Sequence, residues 1–187
     1  MKTQCRQWIA CGVLFCLMAI LFGCAALTGQ RPPAAPENID PEGILSDLTP
    51  DIEALYLSWH ELNDIYKDLK YLERGLLFDS NDSQLGYIQK TALYVQDASV
   101  RIHHAWDRLS VLHYIRADHL RDYLTLTVNA LTVAIDEIAY DLQFIDIYAA
   151  FIAHAAIGDD LNRARAQVET TTALLRRIQD QLVQSIN

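Results

Sequence analysis

Two histidine-aspartate pairs, His60 with Asp64 and His103 with Asp107, repeat one four-residue spacing. On a helix that spacing puts both members of a pair on the same face. Trp59 and Trp106 lie beside them, and His104 follows His103 directly; reflecting the first helix onto the second about a turn near residue 82 places Trp59 within about a turn of Trp106, with His60, His103 and His104 at the same level. Two such pairs suit a zinc or iron ion if other helices supply further ligands. The registers argue against convergence, because His60 and His104 fall on the outer side of the apolar seams described below and His103 only flanks one. A structural or surface role is therefore expected, and a small-ligand or metal carrier is the alternative.

Other chemistries lack their residues. All four cysteines (Cys5, Cys11, Cys16, Cys24) and both methionines (Met1, Met18) fall in the first 24 positions. This removes disulfides, thiolate-held zinc or iron-sulfur clusters, C-x-x-C-H haem and a cysteine nucleophile from the rest of the chain. A carboxylate-bridged di-iron bundle needs Glu-x-x-His on two helices, and that motif does not occur. For haem, only His113 approaches a seam register, at an expected turn. No G-x-S-x-G, H-E-x-x-H, phosphate loop or dinucleotide fingerprint follows position 24. The reading is a protein without a cofactor, not an enzyme.

Charge narrows the partners. The formal net charge is -9, and Lys2 and Arg6 stand at the extreme N-terminus, so the remainder is more acidic still. An acidic body repels phosphate backbones, which excludes nucleic acid as a partner class. Asp136, Glu137 and Asp141, with Asp146, make part of the third expected helix acidic; the first three are the candidate docking face for a partner. Arg101, Arg108, Arg116 and Arg121 form a complementary basic series that can pair with neighbouring acids.

The elements that must position these residues are helices. Beyond Pro50 there is no proline, and only Gly75, Gly86 and Gly158 interrupt a stretch rich in Ala, Leu, Gln, Asp and Arg. Thr49-Pro50-Asp51 offers a start signal: a capping hydroxyl, proline in the first turn and an acid near the positive end of the helix dipole. The first seam runs Ile52, Leu55, Trp59, Leu62, Tyr66, Leu69 and Leu76, broken at Glu73. After Asp79-Ser80-Asn81-Asp82-Ser83 a second runs Leu85, Ile88, Ala92, Val95, Ser99, Ile102, Trp106 and Leu109. A turn is placed near His113 to Asp118. The third seam then runs from Leu120 through Leu131, Ile138 and Ile145 to Ala156, ending at Gly158-Asp159-Asp160. The fourth is Leu161, Ala164, Val168, Thr171, Leu175, Ile178 and Leu182. Alternating three- and four-residue steps are coiled-coil-like. Short connections then imply an all-α, antiparallel up-down four-helix bundle over residues 50–187, with both tryptophans in its core.

The N-terminal segment differs in kind. Lys2 and Arg6 precede an apolar run from Trp8 to Gly23 of about 16 residues, short of the roughly 20 a spanning helix needs. It closes on Leu21-Phe22-Gly23-Cys24. Here the chain resembles the bacterial lipoprotein signal, with Phe22 larger than the usual residue of a lipobox. The resemblance implies cleavage between Gly23 and Cys24, a diacylglycerol on the Cys24 thiol and acylation of the new amino group. Residues 1–23 would be the signal peptide and 24–49 the lipidated cysteine and a tether. Ala25 in place of Asp favours, by the same resemblance, the outer membrane over the inner one.

Two or more acyl chains hold a protein stably on a bilayer. Pro32, Pro33, Pro36 and Pro41, with Gly29 and Gly43, read as a semi-rigid spacer reaching roughly 50 Å. The expected function is a lipid-anchored, periplasm-facing protein of the cell envelope that binds or positions another envelope protein.

Overall fold

Helices with one apolar stripe each are stable only when the stripes are shared, and four of them share one core here. A computed structural model describes residues 41–77, 82–152 and 155–187, which belong to one compact unit. Gly23, Cys24 and the tether as far as residue 40 lie outside the described residues. The helices are α1 (Pro41–Leu76), α2 (Asp82–Ser110), α3 (Ala117–Ala149) and α4 (Ala155–Ile186), with a short 3-10 turn at Val111–Tyr114. Each helix packs against the next, and α4 closes the ring on α1. The protein is an all-α four-helix bundle, and no strand occurs among the described residues.

The core follows the seams. Leu55, Leu62 and Leu69 from α1 meet Ile88, Val95, Ile102 and Leu109 from α2; α3 adds Leu124, Leu131 and Ile138, and α4 adds Val168, Leu175, Ile178 and Leu182. Ile65, Ala98 and Ala105 are also buried, which widens the first two seams beyond the expected stripe. Buried threonines are satisfied inside their own helices. Thr91, Thr127, Thr171 and Thr172 each donate to the carbonyl four residues back at 2.7–2.8 Å, so no core hydroxyl is left unpaired at these positions.

Three boundaries or placements differ from expectation. The first helix begins at Pro41 and carries Pro50 within it, although Thr49-Pro50 was the expected start. The Thr49 hydroxyl donates back to the Leu45 carbonyl at 2.7 Å and caps nothing ahead of it. Proline costs the bond to the carbonyl four residues earlier; here that residue, Ser46, is exposed, as is Pro50. Between them Leu48 is buried in the core, which holds the extra turns in place.

The second difference is that α3 stops at Ala149, nine residues before Gly158, and α4 already contains that glycine. Ala150 has φ -62° and ψ -21°, and the Phe151 and Ile152 amides donate to the carbonyls of Tyr148 and Ala149 at 3.0 and 3.1 Å. A turn made from right-handed backbone angles needs no glycine. Packing holds it: the Phe151 ring stacks on Tyr87 of α2, centroids 5.0 Å apart. The third is that Trp59 and Trp106 are half-buried at the edge of the core.

Charged pairs tie the helices together. Asp51, expected as a helix-dipole acid, is buried and receives both arms of the Arg177 guanidinium from α4, with Nε 3.1 Å from Oδ2. Arg163 Nη2 of α4 reaches Glu61 of α1 at 2.7 Å, and Arg165 Nη2 reaches Asp146 of α3 at 2.6 Å. The expected break at Glu73 is a buried carboxylate that pairs with Lys70 and accepts from Gln89 of α2 at 3.0 Å.

Leu62→Ala and Leu124→Ala should each cost about 2–5 kcal/mol in chemical denaturation, and the exposed Leu93→Ala less than about 0.5 kcal/mol. Arg177→Met, which leaves Asp51 without its charged partner, should lower the denaturation midpoint further than Leu93→Ala does. Equal costs for Leu62→Ala and Leu93→Ala would contradict the core as drawn.

Candidate functional site

The tryptophan-histidine level assembles as the reflection of α1 onto α2 implies. Tyr56, Trp59 and His60 project from one side of α1, three and four residues apart; His103 and Trp106 answer from α2. The Trp59 ring lies 4.3 Å from both the His60 and the His103 ring centroids. Tyr56 packs on Trp106 at 5.2 Å and on His60 at 4.4 Å. Trp59 thus separates the two imidazoles, so they do not face one another across a vacant ligand position. The Ser99 hydroxyl, beneath this level, points to the Trp59 carbonyl at 3.4 Å.

Only one of the two histidine-aspartate pairs closes. His103 Nδ1 stands 3.3 Å from Asp107 Oδ2. Asp64 turns instead to Lys67, 2.8 Å away, whose ammonium holds the Asp64 carboxyl below its ordinary range. His104 is exposed on the outer face of α2. Among the described residues no group of three His, Cys, Asp or Glu side chains is placed to hold a metal ion.

Beside this cluster the surface opens into a groove of about 530 Å³ lined by Glu53, Tyr56, Leu57 and Trp106. Leu57 is 67% exposed. An apolar floor with one carboxylate at its rim suits an aliphatic or aromatic side chain that carries a positive charge. Leu57 was not singled out in the sequence, because an isolated leucine off the seam carries no signal there. Its significance comes from standing beside two aromatic rings.

The acidic trio does not form one solvated face. Asp136 is exposed, but Glu137 pairs with Arg101 of α2, and Asp141 is only 2% exposed, with Arg101 Nε 3.1 Å from its Oδ2. The expectation of a docking face at Asp136, Glu137 and Asp141 is corrected at Asp141, which is buried against α2; Asp136 and Glu137 stay exposed, Glu137 paired with Arg101. Burial pushes the Asp141 carboxyl up to about 6; Arg101 opposes that shift, and Asp97 and Glu137 add to it.

An aromatic ladder on the same α2/α3 side was not foreseen as a unit. Tyr94 stacks on Phe144 at 4.9 Å, Tyr87 on Phe151 at 5.0 Å, and Tyr140 packs on Phe144 at 4.6 Å. Lys90 Nζ lies 5.2 Å from the centre of the Tyr148 ring. The seven-residue intervals of Tyr87/Tyr94 and Phe144/Phe151 are the sequence signal that marks it.

Comparison with protein-family models, curated proteins and solved structures finds no match. Among the described residues no helix is long and apolar enough to cross a membrane.

A carboxyl raised in the folded state binds its proton more tightly there than in the unfolded chain. Its contribution to stability is therefore full below the ordinary carboxylate range and is lost as pH rises through about 6. The difference in unfolding free energy between the native protein and Asp141→Asn should change by roughly 2–3 kcal/mol between pH 4 and pH 7. Parallel pH profiles for the two would contradict this assignment.

Proposed function

We propose that this is a lipid-anchored protein of the cell envelope, held through Cys24 and facing the periplasm, that binds or positions another envelope protein. The lipoprotein-like signal supports the anchor, and Ala25 favours the outer membrane. The observation that carries the binding role is the open groove beside Tyr56, Leu57 and Trp106. Protein interfaces are enriched in aromatic anchors set among contacts that exclude water. Glu53 at the rim directs the choice toward a partner segment bearing an arginine or lysine beside an apolar side chain. Anchoring raises the local concentration of the body near membrane partners, so a single groove of this size is sufficient for capture.

Labelled fatty acid should enter the native chain and not Cys24→Ser; equal labelling of both would discard the anchor. Leu57→Asp should abolish cross-linking to the envelope partner in native membranes, and Trp106→Ala should weaken it at least about tenfold, while the helical spectrum is preserved. Full complementation by a soluble periplasmic Cys24→Ser form, with no specific cross-linked partner, would sink the binding role.

A further inference from the structure

Each aromatic ring of the α1/α2 groove has an imidazole against it. His60 packs on Tyr56 with centroids 4.4 Å apart, and His103 lies 5.6 Å from Trp106. Both imidazoles also stand 4.3 Å from the Trp59 ring that separates them. Neither lines the groove, and both are only half-buried, so protons from water reach them.

The charge that the groove itself presents is Glu53, which is exposed. The ion pairs of α1 engage Asp51, Glu61, Asp64, Asp68 and Glu73 and leave Glu53 out. A cation drawn to this carboxylate meets the Tyr56 and Trp106 rings, whose faces attract positive charge. Histidine is the side chain whose charge changes between pH 5 and pH 8. A proton on either imidazole therefore sets a like charge one ring away from a cation held in the groove.

We propose that a guanidinium or ammonium group in the groove and protons on His60 and His103 exclude one another, so that the groove holds its cationic partner at neutral pH and releases it as the medium acidifies. This rests on the groove as the recognition site and adds its control.

The charged groups around the two rings do not remove the effect. Beside His60 stand Asp64 of its own helix, held by Lys67, and Arg163 of α4, which Glu61, Asp68 and Asp160 engage. Beside His103 stand Asp107, 3.3 Å away, and the exposed His104 ring at 6.3 Å. On the α3 side of α2, Arg101 takes both Glu137 and Asp141. Whatever these pairings, each proton taken up adds one positive charge to the level of the groove. Unit charges about 8 Å apart near a protein surface repel enough to change an affinity at least about fivefold.

The probe is N-acetyl-leucyl-arginine amide, whose charge is constant across this range; the citrulline analogue has the same shape without the charge. Binding to the full chain in non-ionic detergent is read from the indole N–H resonances, with Trp106→Phe identifying the Trp106 signal. The arginine peptide should bind at pH 7.5 and at least about fivefold more weakly at pH 5.5, and the citrulline peptide weakly at both. His60→Gln combined with His103→Gln should remove the pH dependence. Asp141, whose carboxyl burial pushes up to about 6, titrates in the same range, and Asp141→Asn should leave the dependence in place. Linkage is reciprocal, so in the unaltered chain saturating arginine peptide should move the titration of the His60 and His103 ring protons to lower pH.

Equal affinity of the arginine peptide at the two pH values, a pH dependence that survives the double variant, or ring titrations unmoved by the peptide would each overturn the proposal while leaving the groove as a binding site. Absence of binding at pH 7.5 would remove the groove and its control together, so the two failures are distinct results.

Discussion

The structure depends on one constraint: each helix has a single continuous apolar stripe, and none can remove it from water alone. A helix of about 30 residues needs two neighbours to cover such a stripe, and four helices in a ring satisfy all of them at once. The burial of Leu55, Leu62 and Leu69 against Ile88, Val95 and Ile102 is one arc of that ring, and Leu175, Ile178 and Leu182 close it. With one core and no disulfide available beyond residue 24, stability comes from packing and from how well the stripes align.

Electrostatics takes a second place but shapes the surface. The chain has 15 basic residues against 24 acidic ones, and several of the bases lie in bridges between helices. Arg101 joins α2 to α3, Arg165 joins α4 to α3, and Arg163 and Arg177 join α4 to α1. Two of these bridges hold buried carboxylates, Asp51 and Asp141, and the other two lie at the surface. An acidic helix face read from spacing is therefore partly consumed as interhelical fastening. The exposed apolar surfaces are aromatic and aliphatic: the Tyr56, Leu57 and Trp106 groove at the α1/α2 seam, and the outer shoulder of α3 with Leu126, Val133 and Tyr140.

These two surfaces lie on different sides of α2. Beside the groove the Trp59 ring lies against both the His60 and the His103 ring, and Tyr56 packs on Trp106.

The residues by themselves determined the helical class, the number of helices and every member of the fourth seam, because apolar spacing of three and four and the absence of breakers after Pro50 are local properties. They also determined that Trp59, His60, His103 and Trp106 share one level, which follows from folding α1 back on α2. Tertiary structure alone decided where α1 begins and where α3 ends. Pro50 is accommodated because Leu48, two residues before it, finds the core, and the turn after Ala149 uses backbone angles any residue adopts, held by Phe151 on Tyr87. It alone decided that Asp141 is buried against Arg101 while Asp136 and Glu137 stay exposed, Glu137 paired with the same guanidinium. A one-residue step around a helix is about 100°, so whether a carboxylate is a docking group or a fastening depends on which neighbour stands beside it, and no spacing within one helix contains that information.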